Sequence, residues 1–129
     1  MIDHRALATV QLVLVVFPIF SSCQSPGEGV QRREFLKREA LKLRMRMWFF
    51  EEDVEVHLKL GAIYHEMGED EKATQEFQTA IGLDDKHAQA HNHLGMAYLG
   101  ARRGDLAIKA LRVAICLEPN NPAFWNNLG

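Results

Sequence analysis

A spacing of 34 residues governs this chain from Val54 to its last residue. The pairs Leu60–Gly61, Leu94–Gly95 and Leu128–Gly129 recur at that interval. Around the first two the agreement widens: His57, Leu60, Gly61, Tyr64, Ala73, Phe77, Ala80 and Ile81 return in phase as His91, Leu94, Gly95, Tyr98, Ala107, Leu111, Ala114 and Ile115. A fixed period of this length means that one small structural unit is repeated and stacked. Within each unit the spacing is helical. Leu60 and Tyr64 stand four apart on one helix face, and Ala73, Phe77, Ala80 and Ile81 form the apolar stripe of a second helix. Small residues mark where helices approach closely, and Phe77 and Leu111 fill the space between. A glycine inside a helix costs about 1 kcal/mol relative to alanine, so Gly61 and Gly95 predict a close helix crossing. Met67-Gly68-Glu69-Asp70 predicts the turn inside the first unit. In the second, Gly104 falls three residues before Ala107 rather than five, which predicts a slightly longer first helix. Gly82, near the end of a helix, and Asp85, in the following turn, depart from the pattern.

These residues resemble the tetratricopeptide repeat, whose pattern is Trp-x2-Leu-Gly-x2-Tyr, Ala-x3-Phe and a closing proline at period 34. Pro119 closes the second unit, and Trp125-x2-Leu128-Gly129 opens a third. The resemblance implies an all-α fold, a helix-turn-helix repeat solenoid with two full repeats (54–87 and 88–121) and the start of a third (122–129). It also implies a concave groove lined by the first helix of each unit. The groove places correspond to Glu55, Leu58, Lys59, Ala62 and His65, then Gln89, Asn92, His93, Met96 and Leu99, then Asn126 and Asn127. Small, amide and Met or Leu side chains suit an extended or helical peptide. Family members that grip a C-terminal carboxylate do so with lysine, asparagine and arginine. Those places hold Leu58, Ala62, His93, Ala123 and Asn127 here, so that clamp is absent.

The start of the chain predicts a targeting segment over residues 1–22. His4 and Arg5 precede the apolar run Ala6 to Phe20, which is interrupted by Gln11 and Pro18. That run is shorter than the ~20 residues a membrane span needs and fits a signal-peptide core. Phe20-Ser21-Ser22-Cys23 is similar to the lipobox of bacterial lipoproteins, although leucine is usual where Phe20 stands. The resemblance implies acylation of Cys23, and Gln24 after it implies an outer-membrane lipoprotein facing the periplasm. An ordinary cleaved signal giving a periplasmic or secreted protein is an alternative. So is an uncleaved anchor that leaves the repeats in the cytoplasm, since Arg32, Arg33, Lys37 and Arg38 follow the apolar run. Residues 23–30 hold the turn-formers Ser25, Pro26, Gly27 and Gly29 and read as a flexible tether.

Residues 31–53 predict a basic amphipathic or capping helix. Leu36, Ala40, Leu43, Met47 and Phe50 share one face, and Leu41, Met45 and Trp48 the opposite one. Extending the 34-residue phase backwards puts Glu39 and Arg46 at places that should be small. A cap on the first repeat, with Arg and Lys stems covering apolar surface, is the expected role. Lying on anionic lipid is the alternative.

No catalytic site is legible, so the chain is expected not to be an enzyme and to use no cofactor. His87 and His91 have the spacing of zinc ligands, but His57 and His91 occupy packing places of the repeat, and packing or surface roles are expected for them and for His93. Glu69, Asp70 and Glu71, near His65 and Glu66, flank a turn expected to be solvated, where nothing would tune a carboxylate for acid–base work. Cys116 is a single outward-facing thiol. The net charge of −2 conceals an asymmetry, with eight basic and four acidic residues in 1–50 against seven and thirteen in 51–129. An acidic repeat surface argues against a nucleic-acid ligand.

Function is therefore expected from the groove: a scaffold for a protein or peptide partner, tethered to a membrane through an N-terminal acyl anchor, with no small-molecule substrate. An N-terminal repeat part of a larger enzyme, such as a glycosyltransferase or protease, is the alternative. Two and a quarter units are fewer than repeat arrays usually have. Phe124, Trp125 and Leu128 are accordingly expected to lack packing partners, either because the array is longer or because a partner completes it.

Overall fold

The computed structural model describes residues 27–129, which contain six helices and no strand. The expected signal segment 1–22, Cys23 and the first part of the tether lie outside the described residues. The chain divides into two units at Arg33 and Glu34. Of the first, residues 27–33 are described, and they are the opening turns of helix α1 (Glu28–Phe49). The helix therefore begins three residues before the expected Gln31, taking in Glu28, Gly29 and Val30 of the expected tether. Glu28 in its first turn favours that start, because a carboxylate complements the positive end of the helix dipole.

Residues 34–129 carry the rest of α1 and the repeats. The first repeat is α2 (Val54–Glu66) and α3 (Asp70–Leu83); the second is α4 (Ala88–Gly100) and α5 (Gly104–Leu117); α6 (Pro122–Leu128) opens the third. Each first helix starts at a side-chain cap. The Asp53 carboxylate accepts from the Glu55 N–H, His87 Nδ1 from Ala90 N–H, and the Asn121 amide oxygen from Ala123 N–H, with Pro122 in the first turn. Each cap satisfies a backbone donor that the helix itself cannot.

Successive helices pack as α2 on α3, α3 on α4, α4 on α5 and α5 on α6, while α2 also meets α4 and α4 meets α6. The repeat stripe is the core. Phe77, Leu60 and Leu111 are the largest fully buried side chains, and Ala73, Ala80, Ala107 and Ala114 are sealed completely. A Cβ on Gly61 would stand 2.6 Å from the Phe77 ring, and one on Gly95 2.6 Å from Leu111 Cγ. Both glycines are therefore spacers for the crossing inside a helix pair, as their helix-breaking cost implied.

Two expectations need correction. The first helix of the second unit is no longer than that of the first, since α2 and α4 each have 13 residues. The left-handed turn residue is Arg102 (φ 59°), 34 places after Gly68 (φ 76°), whereas Gly104 begins α5. The two turns share their hydrogen bonds, Glu69 N–H to Tyr64 carbonyl and Arg103 N–H to Tyr98 carbonyl, each 2.8 Å. Closing that bond fixes the turn geometry whichever residue occupies it.

Phe124 does find partners: it is 4% exposed, packed with Ala88, Ala114 and Ile115, with Leu128 alongside. The second unit alone supplies that pocket. Trp125 stays half exposed and donates its indole N–H to the Pro119 carbonyl at 2.9 Å.

Helix α1 shows the stripe read from its sequence. Leu36 and Ala40 are buried and Leu43 and Met47 half-buried, as the stripe predicted. Among the described residues no other helix packs backbone-to-backbone against α1. Glu39 and Arg46 stand where a close crossing needs small side chains. A cleft of about 370 Å³ remains between α1 and the α2–α3 turn, with Ala40, Leu41, Tyr64 and Met67 in its lining and Lys37, Arg44, Glu69 and Lys72 around them.

Candidate functional site: the inner faces of the first helices

The contacts of α2 with α4 and of α4 with α6 place the three first helices side by side. Their shared inner surface holds most of the groove residues read from the sequence. Lys59 and Ala62 are exposed on α2, Gln89 and Leu99 on α4, and Asn126 on α6; His65, His93, Met96 and Asn127 are half-buried. Lys59 lies 3.7 Å from Glu55, one turn back. Pairs this exposed contribute little to stability, so both ends remain available to a ligand.

Two groove places turn inward. Leu58 is 7% exposed and packs in the core with Phe77, Ala90 and Leu94, because its face of α2 meets α3 and α4. Its side chain is not offered to a ligand. Asn92 is also buried, and its amide oxygen accepts a hydrogen bond from the Asn127 amide N–H at 2.9 Å. A buried amide needs such a partner, and this one ties α4 to α6 across the groove floor.

The histidines have separate occupations. His93 stacks on Phe77, ring centroids 5.3 Å apart and planes 15° off parallel. Burial lowers its pKa below the ordinary imidazole value, with smaller contributions from His65 and His87. His91 Nε2 bonds the Asp85 carbonyl at 2.9 Å, and His87 caps α4. His57 is 3% exposed, its Nδ1 held at 2.8 Å by the Glu76 carboxylate, while its Nε2 is buried without a partner among the described residues. It fills the packing place that its repeat position implied. No group of three or more His, Cys, Asp or Glu able to hold a metal ion occurs among the described residues.

Asp70 differs from the expected solvated turn. Its side chain is 14% exposed, hydrogen-bonded to His65 Nδ1, and lies against Gly100 so closely that a Cβ there would overlap it. Glu76 and the Gln78 amide, which donates to the Tyr98 hydroxyl at 2.8 Å, were not legible in advance. Nothing in the repeat pattern distinguishes them from solvated residues of α3.

Residues 61–100 match the family model described as TPR repeat. The chain is 28% identical over 95 residues to the anaphase-promoting complex subunit CDC16 of Saccharomyces cerevisiae, an alignment covering 74% of this chain and 11% of that protein. It thus spans about a ninth of that relative's length. Among solved structures, MamA superposes with a TM-score of 0.68 at 22% identity, over 72% of this chain and 54% of that one. The second TPR domain of human RPAP3, solved with an HSP70 peptide, superposes with a TM-score of 0.69 at 19% identity, over 79% and 85%. At such identities the likeness is one of fold. Residues 61–100 thus match a TPR repeat model, and the described helices resemble TPR solenoid structures in fold.

Proposed function

We propose that this chain is a non-enzymatic scaffold that receives an extended or helical segment of a partner protein along the inner faces of α2, α4 and α6. The observation that carries this reading is the run of accessible side chains from three successive first helices on one side: Lys59, Ala62, Gln89, Met96, Leu99 and Asn126. Ala62 leaves room for a backbone, Met96 adapts to an apolar side chain, and the amides can bond peptide groups. The RPAP3 domain was solved with a peptide, and its likeness in fold supports the reading by analogy. The carboxylate-clamp places hold Leu58, Ala62, His93, Ala123 and Asn127, and Leu58 is buried. Recognition here would accordingly rest on side-chain contacts along the ligand rather than on its C-terminal carboxylate.

The test is to select peptides on the purified chain from a random library and measure binding by fluorescence anisotropy. Ala62→Arg and Met96→Glu should each weaken binding by at least about tenfold, equivalent to about 1.4 kcal/mol of binding free energy. Arg112→Ala, on an exposed face of α5, should not. Peptides whose affinity ignores both groove variants would put the binding surface elsewhere.

The same proposal places the scaffold at a membrane of a bacterial envelope, held by an acyl chain on Cys23. That part rests on Phe20-Ser21-Ser22-Cys23 alone, which lies outside the described residues.

A further inference from the structure

Helix α1 has two apolar faces. One is buried at Leu36 and Ala40 and half-buried at Leu43 and Met47. The other is not: Leu41, Met45 and Trp48 stand at i, i+4 and i+7, with Phe49 and Phe50 completing an aromatic end. Trp48 is 85% and Phe49 72% exposed. With Arg44, Met47 and Glu52, four of these residues rim an open hollow of about 470 Å³. Contiguous apolar surface of this kind on a folded chain marks an interaction site.

The surrounding charge selects the occupant. Helix α1 carries seven basic residues against the three acidic ones Glu28, Glu34 and Glu39. Lys37 and Lys42 already pair with Glu34 and Glu39 at 2.7 Å. Arg44 and Arg46 flank the aromatic end and are exposed, with Glu52 sharing the hollow with Arg44, and Glu51, Glu52 and Asp53 lining the cleft beside Arg46. Cationic side chains around Trp and Phe at the edge of an apolar strip match an anionic lipid surface. There the rings enter the boundary between head groups and acyl chains while the guanidinium groups meet phosphates. No described helix is long and apolar enough to cross a membrane, so α1 would lie on the surface.

We propose that the Leu41–Phe50 end of α1 binds anionic phospholipid directly, whether or not Cys23 is acylated. The test uses the full chain with Cys23→Ser, so that no acyl group contributes, and Trp125→Phe, so that Trp48 alone fluoresces. Circular dichroism verifies that each variant is folded. Phosphatidylglycerol vesicles should blue-shift Trp48 emission, phosphatidylcholine vesicles should not, and 0.5 M salt should reverse the shift. Arg44→Glu with Arg46→Glu should lower partitioning by at least about tenfold, since each basic residue near such a surface contributes measurably. Residues 1–22 are the same in every variant and cannot produce that difference. Emission unchanged by phosphatidylglycerol would overturn the proposal. So would a shift equal for both lipids and indifferent to the charge reversal. A blue shift that grows with protein concentration without vesicles would overturn it in favour of a second copy on this face.

Discussion

Gly61 is held against Phe77 so tightly that an added Cβ would lie 2.6 Å from the ring carbon Cε1. The Phe77 ring is fully buried and stacks on His93. Overpacking of this kind typically costs 1–3 kcal/mol, which outweighs the gain of about 1 kcal/mol from replacing a helical glycine. Gly61→Ala should therefore lower stability by about 1–2 kcal/mol in urea unfolding. Contact with Phe77 is the cause if Phe77→Ala costs less in the Gly61→Ala background than in the wild type.

Gly82 is the opposite case. It lies within α3, and nothing stands within 4 Å of where its Cβ would be. Gly82→Ala should raise stability by about 0.5–1 kcal/mol, through helix propensity and a less flexible unfolded chain. The same substitution at positions 61 and 82 is thus expected to change Tm in opposite directions.

Arg102 adopts φ 59°, a conformation that costs a residue with a Cβ roughly 1–2 kcal/mol. The corresponding turn uses Gly68. Arg102→Gly should stabilise the second repeat by about 1 kcal/mol, less what the freer unfolded chain takes back. A fall in Tm would mean that the Arg102 side chain holds the turn.

The stack of His93 on Phe77 makes the groove sensitive to pH. Burial lowers the pKa of His93 in the folded protein, whereas the unfolded chain takes up the proton near 6.5. Between those two values the unfolded state binds more protons, so this group costs stability as pH falls below 6.5. The penalty is complete below the folded pKa and absent well above 6.5. Comparing wild type with His93→Gln in urea at pH 7.5, 6.5 and 5.5 isolates it, and the difference should move against the wild type at the acid end. Parallel profiles would refute the assignment.

Acylation of Cys23 predicts that metabolic labelling with a radioactive fatty acid in a bacterial host marks the wild type and not Cys23→Ser. Label in neither would remove the lipoprotein reading and bring forward a cytoplasm-facing adaptor. The lipid-binding proposal for α1 is independent of that result.

The 34-residue phase alone determined the helix pairs, the stripe of Phe77 and Leu111, and the role of Gly61 and Gly95. Those features follow from periodicity and propensity within one unit, where neighbours in space are neighbours along a helix or across one turn. The groove was legible as a set of places but not as a set of accessible side chains. Leu58 and Asn92 turn inward because burial at those places depends on how one helix pair rotates onto the next. The same rotation pairs residues far apart in the chain: Asn92 with Asn127, 35 places on. Packing between units also closed Phe124 into the core without a third helix pair. It left α1 without a close helix crossing among the described residues. Only the tertiary structure could decide these, because each is settled by contacts between units and the pattern records only what a unit needs within itself.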